Sequence, residues 1–291
     1  MPLYRVAFTM AGVTFVLHTP EPVRILPSFR PFLTENGPVR YDARFQYVET
    51  LPELTGTPLE AAPEYQIIPD GCGGFFRRYR DPRRGNEPYA VAAWDFSHRQ
   101  VEVALLPWGR EFIGETGNSL FHLAPETVLL REGRLVLHAA CVDTPYGGLL
   151  FSGPSGIGKS TQAELWLRRD GVRQINGDRP ILAKDGAGWR AYGSPYAGSS
   201  RCHVNESCRV RAVVLLRQAP DNAMRRLEAV ESFSGVFAGI TVNTWDPEDV
   251  SRAADLAEAL VRDVPVYELA CRPDDSAVEL LRRELEVVPN D

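Results

Sequence analysis

The stretch Gly153-Pro154-Ser155-Gly156-Ile157-Gly158-Lys159-Ser160-Thr161 carries the residue types and spacing that most directly suggest chemistry in this sequence. Gly-x4-Gly-Lys-Ser is the P-loop pattern, and each part of it has a physical reason. Gly153, Gly156 and Gly158 permit backbone angles, and a close approach to phosphate oxygens, that a side chain would obstruct. Successive N–H groups then converge on one anion, and a helix opening at Lys159 adds the positive end of its dipole at the same point. Lys159 brings a mobile charge to the outer phosphates, and the Ser160 hydroxyl is placed to ligate Mg²⁺. Chance would produce two fixed Gly with Lys and Ser or Thr in roughly 1% of chains this long. The context lowers that further, because apolar Leu149-Leu150-Phe151 precedes the loop and helical spacing follows it. A nucleotide and Mg²⁺ are therefore the expected ligands.

Phosphoryl transfer needs little covalent chemistry from a protein: a clamp, a metal and a base or positioning group. Asp178, in Asn176-Gly177-Asp178-Arg179-Pro180, and His138, in Leu137-His138-Ala139-Ala140-Cys141-Val142, are the neighbouring candidates. Taken alone, Asp178 has the surroundings of a turn residue and His138 those of a core histidine.

These two stretches, with Leu149 to Thr161 between them, resemble the HPr kinase/phosphorylase family and more distantly look like ATP-dependent phosphoenolpyruvate carboxykinase. The resemblance spans roughly residues 135 to 200 and is densest at the loop. It implies an α/β P-loop core of the phosphoenolpyruvate-carboxykinase/HPr-kinase type. It also implies a kinase that moves the γ-phosphoryl of ATP to a hydroxyl, on a Ser of a peptide or protein or on a small metabolite, and an oligomeric assembly. Asp178 would then sit beside the metal and γ-phosphate and accept the proton of the attacking hydroxyl, with His138 tuning it; Ser160 and Asp178 would hold the metal. Where those families carry two adjacent acids, this chain has Asp178 followed by Arg179. Either one carboxylate serves both metal and base, or the metal is held differently, and Arg179 would neutralise phosphate charge. The Glu- and Arg-containing signature of HPr kinases is not visible after residue 200, nor is the additional Lys and Arg set of a carboxykinase. The loop Gly193 to Arg201 resembles a segment of HPr-kinase-like proteins encoded beside peptide-modifying enzymes; there Ser194, Ser199 and Arg201 would face the acceptor, the alternative being an ordinary surface loop. Two competing functions remain open: a nucleotide-binding regulator with no acceptor, and a carboxykinase-like lyase.

The elements that must position these residues change character along the chain. Short apolar–polar alternation at Tyr4 to Phe8, Val13 to Leu17, Tyr89 to Trp94 and Val101 to Leu105 predicts strands, paired as hairpins about Met10-Ala11-Gly12 and Ser97-His98-Arg99. A β-rich amino-terminal lobe over residues 1–115 follows, which in a kinase would help bind the acceptor substrate, and then a P-loop α/β kinase domain over 116–291. In the second part the pattern predicts a helix from Ser119 to Arg131 with Pro125 as its weak point, then strands at Leu135 to Val142 and Gly148 to Phe151. A helix from Lys159 to Arg168, a strand at Ala212 to Leu216 and a helix from Leu227 to Ile240 come next. Asp246-Pro247-Glu248 reads as a cap opening a helix to Val261, before a strand at Pro265 to Leu269 and a closing helix from Asp274 to Leu285. That alternation predicts an α/β core.

Composition narrows the alternatives. Over 291 residues the hydrophobic fraction is 44% and the charged fraction 24%, which fits a packed globular protein. A net charge of −6 gives no footprint for duplex nucleic acid. The basic run Arg77, Arg78, Arg80, Arg83 and Arg84 reads as a solvated hairpin, with an acidic substrate segment as the sharper alternative. Five scattered cysteines lack zinc-site spacing, and residues 1–19 show no basic leader or cleavage site. With no apolar run long enough to span a bilayer, a cytoplasmic protein without a membrane partner is expected.

Overall fold

The computed structural model describes residues 3–34, 37–72 and 74–287; Met1 and Pro2, the start of the segment read for a leader, lie outside them. The chain is mixed α/β and divides into two compact units between Val128 and Leu129.

The first unit is built on strands β1 (Tyr4–Met10), β2 (Val13–Thr19), β3 (Val39–Tyr47), β4 (Glu60–Ala61), β5 (Tyr65–Pro69), β6 (Phe75–Asp81), β7 (Glu87–Asp95) and β8 (Gln100–Leu105). Among the described residues they form one sheet in the order β1-β2-β3-β8-β7-β6-β5-β4. The β2–β3 and β3–β8 pairs are parallel, which requires the long connections between those strands, and the other pairs are antiparallel. Both expected hairpins are present. Ala11 and Gly12 both take positive φ, 46° and 80°, as a two-residue hairpin loop matched to strand twist demands. Inward positions carry Phe8, Phe15, Phe45, Tyr79 and Tyr89, all buried.

Two expectations are corrected here. The basic run is not uniformly solvated: Arg77 is 5% exposed, its guanidinium 3.9 Å from the centroid of the Tyr65 ring and 4.9 Å from that of Phe121, with Glu126 at 3.8 Å. It sits on the inner side of a β6 that alternates as any half-buried strand does. The helix expected over 119–131 is two short ones, α1 (Thr116–Phe121) and α2 (Pro125–Arg131). Ala124 takes φ 44°, outside the right-handed helical region, immediately before Pro125, where a continuous helix is disfavoured.

The second unit contains β9 (Arg134–Val136), β10 (Ala139–Thr144), β11 (Gly147–Ser152), α3 (Lys159–Leu167), β12 (Arg173–Asn176), β13 (Ile181–Asp185) and β14 (Gly188–Tyr192). It continues with β15 (Ser207–Gln218), β16 (Ala223–Arg226), α4 (Ala229–Phe237), α5 (Pro247–Asp263), β17 (Val266–Cys271) and α6 (Asp275–Val287). The twelve-residue β15 joins two parts of the sheet: its first residues pair antiparallel with β14, and its remainder runs parallel to β11 and β17. Strict alternation divides the central strands between two cores. Cys141, Leu150 and Val213 pack with Ala253, Ala257 and Leu260 of α5 and Val236 of α4. On the opposite face Val142, Leu149, Phe151 and Val214 pack with Ala163 and Trp166 of α3 and Val278 and Leu281 of α6. Strands buried on both faces explain the nearly continuous apolar runs in the sequence.

The cap at Asp246 is as the sequence suggested: its side chain accepts from the backbone N–H of Glu248 and Asp249, with Pro247 in the first turn. The strand expected over 135–142 is corrected. It breaks at Leu137-His138, so that β9 pairs with β13 while β10 pairs with β11 and β12. Among the described residues no helix is long and apolar enough to cross a membrane, and all five cysteines carry free thiols.

Candidate functional site

The loop between β11 and α3 is shaped by its glycines. Gly153, Gly156 and Gly158 have φ of 141°, 78° and 114°, a region that L side chains rarely adopt. At Gly156 and Gly158 an added Cβ would meet nothing within 4 Å, so backbone conformation, not lack of room, selects glycine there. At Gly153 space also counts, since a Cβ would lie 3.3 Å from Ile157. Gly158 forms the N-cap of α3 with no side-chain cap bond and no acid in the first turn. The helical ladder starts with Gln162 N–H donating to Gly158 O, which leaves the first-turn amides of Lys159, Ser160 and Thr161 without an intrahelical acceptor.

Lys159 is 8% exposed, and its Nζ donates to the carbonyls of Gly153 and Pro154, each at 3.0 Å. An ammonium has three donors, so two bonds leave capacity for an anion. Burial draws its pKa below the usual lysine value; Arg179 acts in the same direction and Asp178 opposes both. A cation in that condition is stabilised by a nearby negative charge.

Asp178 reaches the loop through a set of bonds that the sequence motif alone did not disclose. Asn176, at the end of β12, is fully buried. Its Oδ1 accepts from the backbone N–H of Asp178 (2.9 Å) and of Arg179 (2.7 Å), while its Nδ2 donates to Ser194 O and Ser194 Oγ, both at 3.2 Å. Ser194 Oγ in turn donates to Arg179 O at 2.7 Å. Gly177 allows close approach here: a Cβ would lie 2.0 Å from Ser200 Oγ and 2.8 Å from Ala197 O. The short polar side chain in an Asn-Gly-Asp turn was the available signal, since such residues bond backbone two positions on.

His138 lies in the break between β9 and β10. Its N–H donates to Gly239 O (2.8 Å), its carbonyl accepts from Ser152 Oγ (2.9 Å), and the next amide, Ala139 N–H, donates to Asp178 O (3.0 Å). Its Nε2 is 3.4 Å from Asp178 Oδ1. Burial lowers the His138 pKa, Lys159 and Arg179 lower it further, and Asp178 offsets part of this, so the ring is neutral at pH 7.

One cleft of about 330 Å³ is lined by His138, Ser155, Gly156, Gly158, Lys159, Ser160, Thr161, Gly177, Asp178, Gly198 and Ser199. Other candidates fall outside that lining. Pro154 and Gly153 form the back of the loop and hold Lys159, and Ile157 packs toward the α3 core. Arg179 Nε lies 3.6 Å from Asp178 Oδ2, while its Nη1 donates to Thr241 Oγ1. Ser194 is 1% exposed with its hydroxyl bonded within the 176–196 frame, so it positions the loop and is not presented to an acceptor. Arg201 is exposed, at φ 53°.

Among the described residues no three His, Cys, Asp or Glu side chains converge as a metal-binding group. Of the oxygen donors lining the cleft, the Ser160 hydroxyl and the Asp178 carboxylate are of the kind that fits Mg²⁺, which keeps several waters and binds through one or two carboxylates plus substrate phosphates.

Among solved structures, the HPr(Ser) kinase/phosphatase from Coxiella burnetii matches 52% of this chain and 96% of its own, at 15% identity and a TM-score of 0.33. At that score the likeness carries no weight beyond itself. No family model matches the chain, and no curated protein matches it.

Proposed function

We propose that this chain is an ATP- and Mg²⁺-dependent kinase that transfers the γ-phosphoryl group to a hydroxyl, on a peptide or protein Ser or on a small metabolite. The observation that carries this reading is the common cleft: an uncapped helix N-terminus, a buried lysine and an aspartate line the same space. In this reading the first-turn amides of α3 and Lys159 hold the phosphates, which relieves the unfavourable burial of the ammonium. Ser160 and Asp178 would hold Mg²⁺, which supplies charge neutralisation for the transferring group. Asp178 orients the acceptor hydroxyl and takes its proton as the new oxygen–phosphorus bond forms and the bond to the ADP oxygen breaks. Neutral His138, beside Asp178, leaves that carboxylate without a formal ion pair from the imidazole. Ser199, in the cleft lining, would face the acceptor.

Two variants test the mechanism. Lys159→Ala removes a charge whose described bonds are to loop carbonyls alone, so the fold is retained, Mg-ATP affinity falls roughly tenfold to a hundredfold, and transfer is lost. Asp178→Asn leaves Lys159 and the loop amides in place, so Mg-ATP still binds, though more weakly, while turnover falls by about 10²- to 10⁴-fold. Calorimetry gives the affinities, and transfer of label from γ-labelled ATP into a peptide or metabolite extract gives turnover. Undiminished turnover in either variant sinks the mechanism; nucleotide binding with no labelled acceptor would instead make the protein a nucleotide-binding regulator.

A further inference from the structure

The turn Gly198–Ser200 is fastened beside Asp178 by contacts on either side of Ser199. At Gly198, φ 54°, a Cβ would lie 3.0 Å from Asp178 Cβ and 3.2 Å from its Cγ, so the bare backbone packs directly on the carboxylate side chain. At Ser200 the contact is with Gly177, whose missing Cβ would lie 2.0 Å from Ser200 Oγ. Two glycines thus bring one turn against another, and the residue between the contacts lines the cleft with Asp178 and Lys159.

The hydroxyls of the 193–201 loop differ in what holds them. Ser194 Oγ is buried and donates to Arg179 O, while Ser200 Oγ donates to Ala197 O (2.7 Å) and accepts from the Cys202 N–H (3.2 Å). Ser199 is exposed, and among the described residues nothing bonds its hydroxyl. The other hydroxyls of the cleft, on Ser155, Ser160 and Thr161, belong to the loop and first helical turn that would hold the phosphates, whereas Ser199 comes from the wall that carries Asp178. A nucleophile that displaces ADP in line must approach the γ-phosphorus from the side away from the ADP oxygen, with a base within reach. A hydroxyl on the Asp178 wall answers both requirements.

We propose that Ser199 is a phosphorylation site of this chain, modified in cis by the cleft it lines. The proposal rests on the reading of that cleft as an ATP-dependent kinase site. Ser199 Oγ attacks the γ-phosphorus of ATP; the new oxygen–phosphorus bond forms as the bond to the ADP oxygen breaks, ADP leaves, and Asp178 takes the hydroxyl proton. Tethering the acceptor beside the base makes the step intramolecular, which substitutes for the affinity that an outside acceptor must supply. The phosphate, with a charge of about −1.5 to −2, then occupies the space beside Asp178, so the reaction stops after about one turnover per chain.

The full chain is incubated with γ-labelled Mg-ATP and no other acceptor, and phosphopeptide mapping locates the label. Wild-type protein is expected to take up label on Ser199 toward about one phosphate per chain, at a rate per chain independent of protein concentration. Ser199→Ala should abolish the labelling without shifting the thermal melt, because the hydroxyl it removes is bonded to nothing among the described residues. Should the melt shift, the site mapped in the wild type decides alone. Label on another residue, undiminished label in Ser199→Ala, or a rate per chain that rises with concentration overturns the proposal. Wild-type protein that takes up no label overturns it too; label passed to a peptide or metabolite extract by the same preparation then leaves the kinase reading standing, and absence of Mg-ATP binding in calorimetry overturns both.

Discussion

Asn176 shows how one unremarked side chain sets a candidate site. All four of its described bonds tie residues 176–179 to Ser194, and none reaches the cleft. It is therefore a positioning residue for Asp178. Asn176→Ala leaves two backbone amides and the Ser194 carbonyl short of a buried partner, at a cost of about 2–4 kcal/mol. The expected outcome is a lower urea midpoint and reduced turnover with Mg-ATP affinity nearly unchanged, because the residue bonds nothing in the 153–161 loop. Asn176→Asp, which keeps the acceptor but turns a second acceptor toward Ser194 O, should lie between the two. If turnover falls only in proportion to the folded fraction, Asn176 has no positioning role.

At the scale of elements, the turn from β11 into α3 depends on backbone conformations that a single methyl group disturbs. Gly158, at φ 114° and ψ 17°, has open space around its missing Cβ. The penalty of Gly158→Ala is then conformational strain of about 1–3 kcal/mol and not a clash. Because the folded chain can relieve that strain by reshaping the loop, the expected signature is lost Mg-ATP affinity exceeding the loss in thermal stability, measured by calorimetry and thermal melts. Gly193 offers the contrast: a Cβ would lie 1.9 Å from Val204 O, so Gly193→Ala should destabilise strongly and affect binding only through folding. The element breaks at Ala124 and His138 belong to the same scale. Local patterning ran through both, yet a proline in one case and a change of strand partners in the other ended the element.

Over the whole molecule, each unit carries its own core, and a titratable group inside one of them makes stability depend on pH. His122, 1% exposed in the first unit, has Nδ1 against Asn118 O (2.7 Å) and Nε2 against Tyr89 Oη (3.1 Å). A carbonyl only accepts, so Nδ1 carries the proton, and Nε2 accepts from the tyrosine hydroxyl. Burial lowers the His122 pKa from 6.5 to about 4. Between those values the unfolded chain binds a proton that the folded chain does not, so this unit loses up to about 3 kcal/mol as pH falls from 6.5 to 4. Urea unfolding at pH 7 and pH 5 should show the loss, and His122→Gln should flatten it. An equal pH dependence in the variant would place the effect elsewhere.

Short-range order was legible because its causes are short-range. The hairpin at Ala11-Gly12, the cap at Asp246, the glycine loop and the helix opening at Lys159 each depend on residues within a few positions of one another. Strands β12, β13, β14 and β16 leave little trace in the sequence, since short strands with charged or polar members lack a periodic signal until neighbours bury one face. Which side chains share the cleft was decided by pairing alone. Asp178 and His138, forty residues apart in sequence, meet because Ala139 N–H donates to Asp178 O, and Ser194 became a buried strut because Asn176 needed its carbonyl and hydroxyl. Such bonds follow from strand order, which no local pattern encodes, and so the loop belonged to the sequence while the groups gathered around it belonged to the tertiary structure.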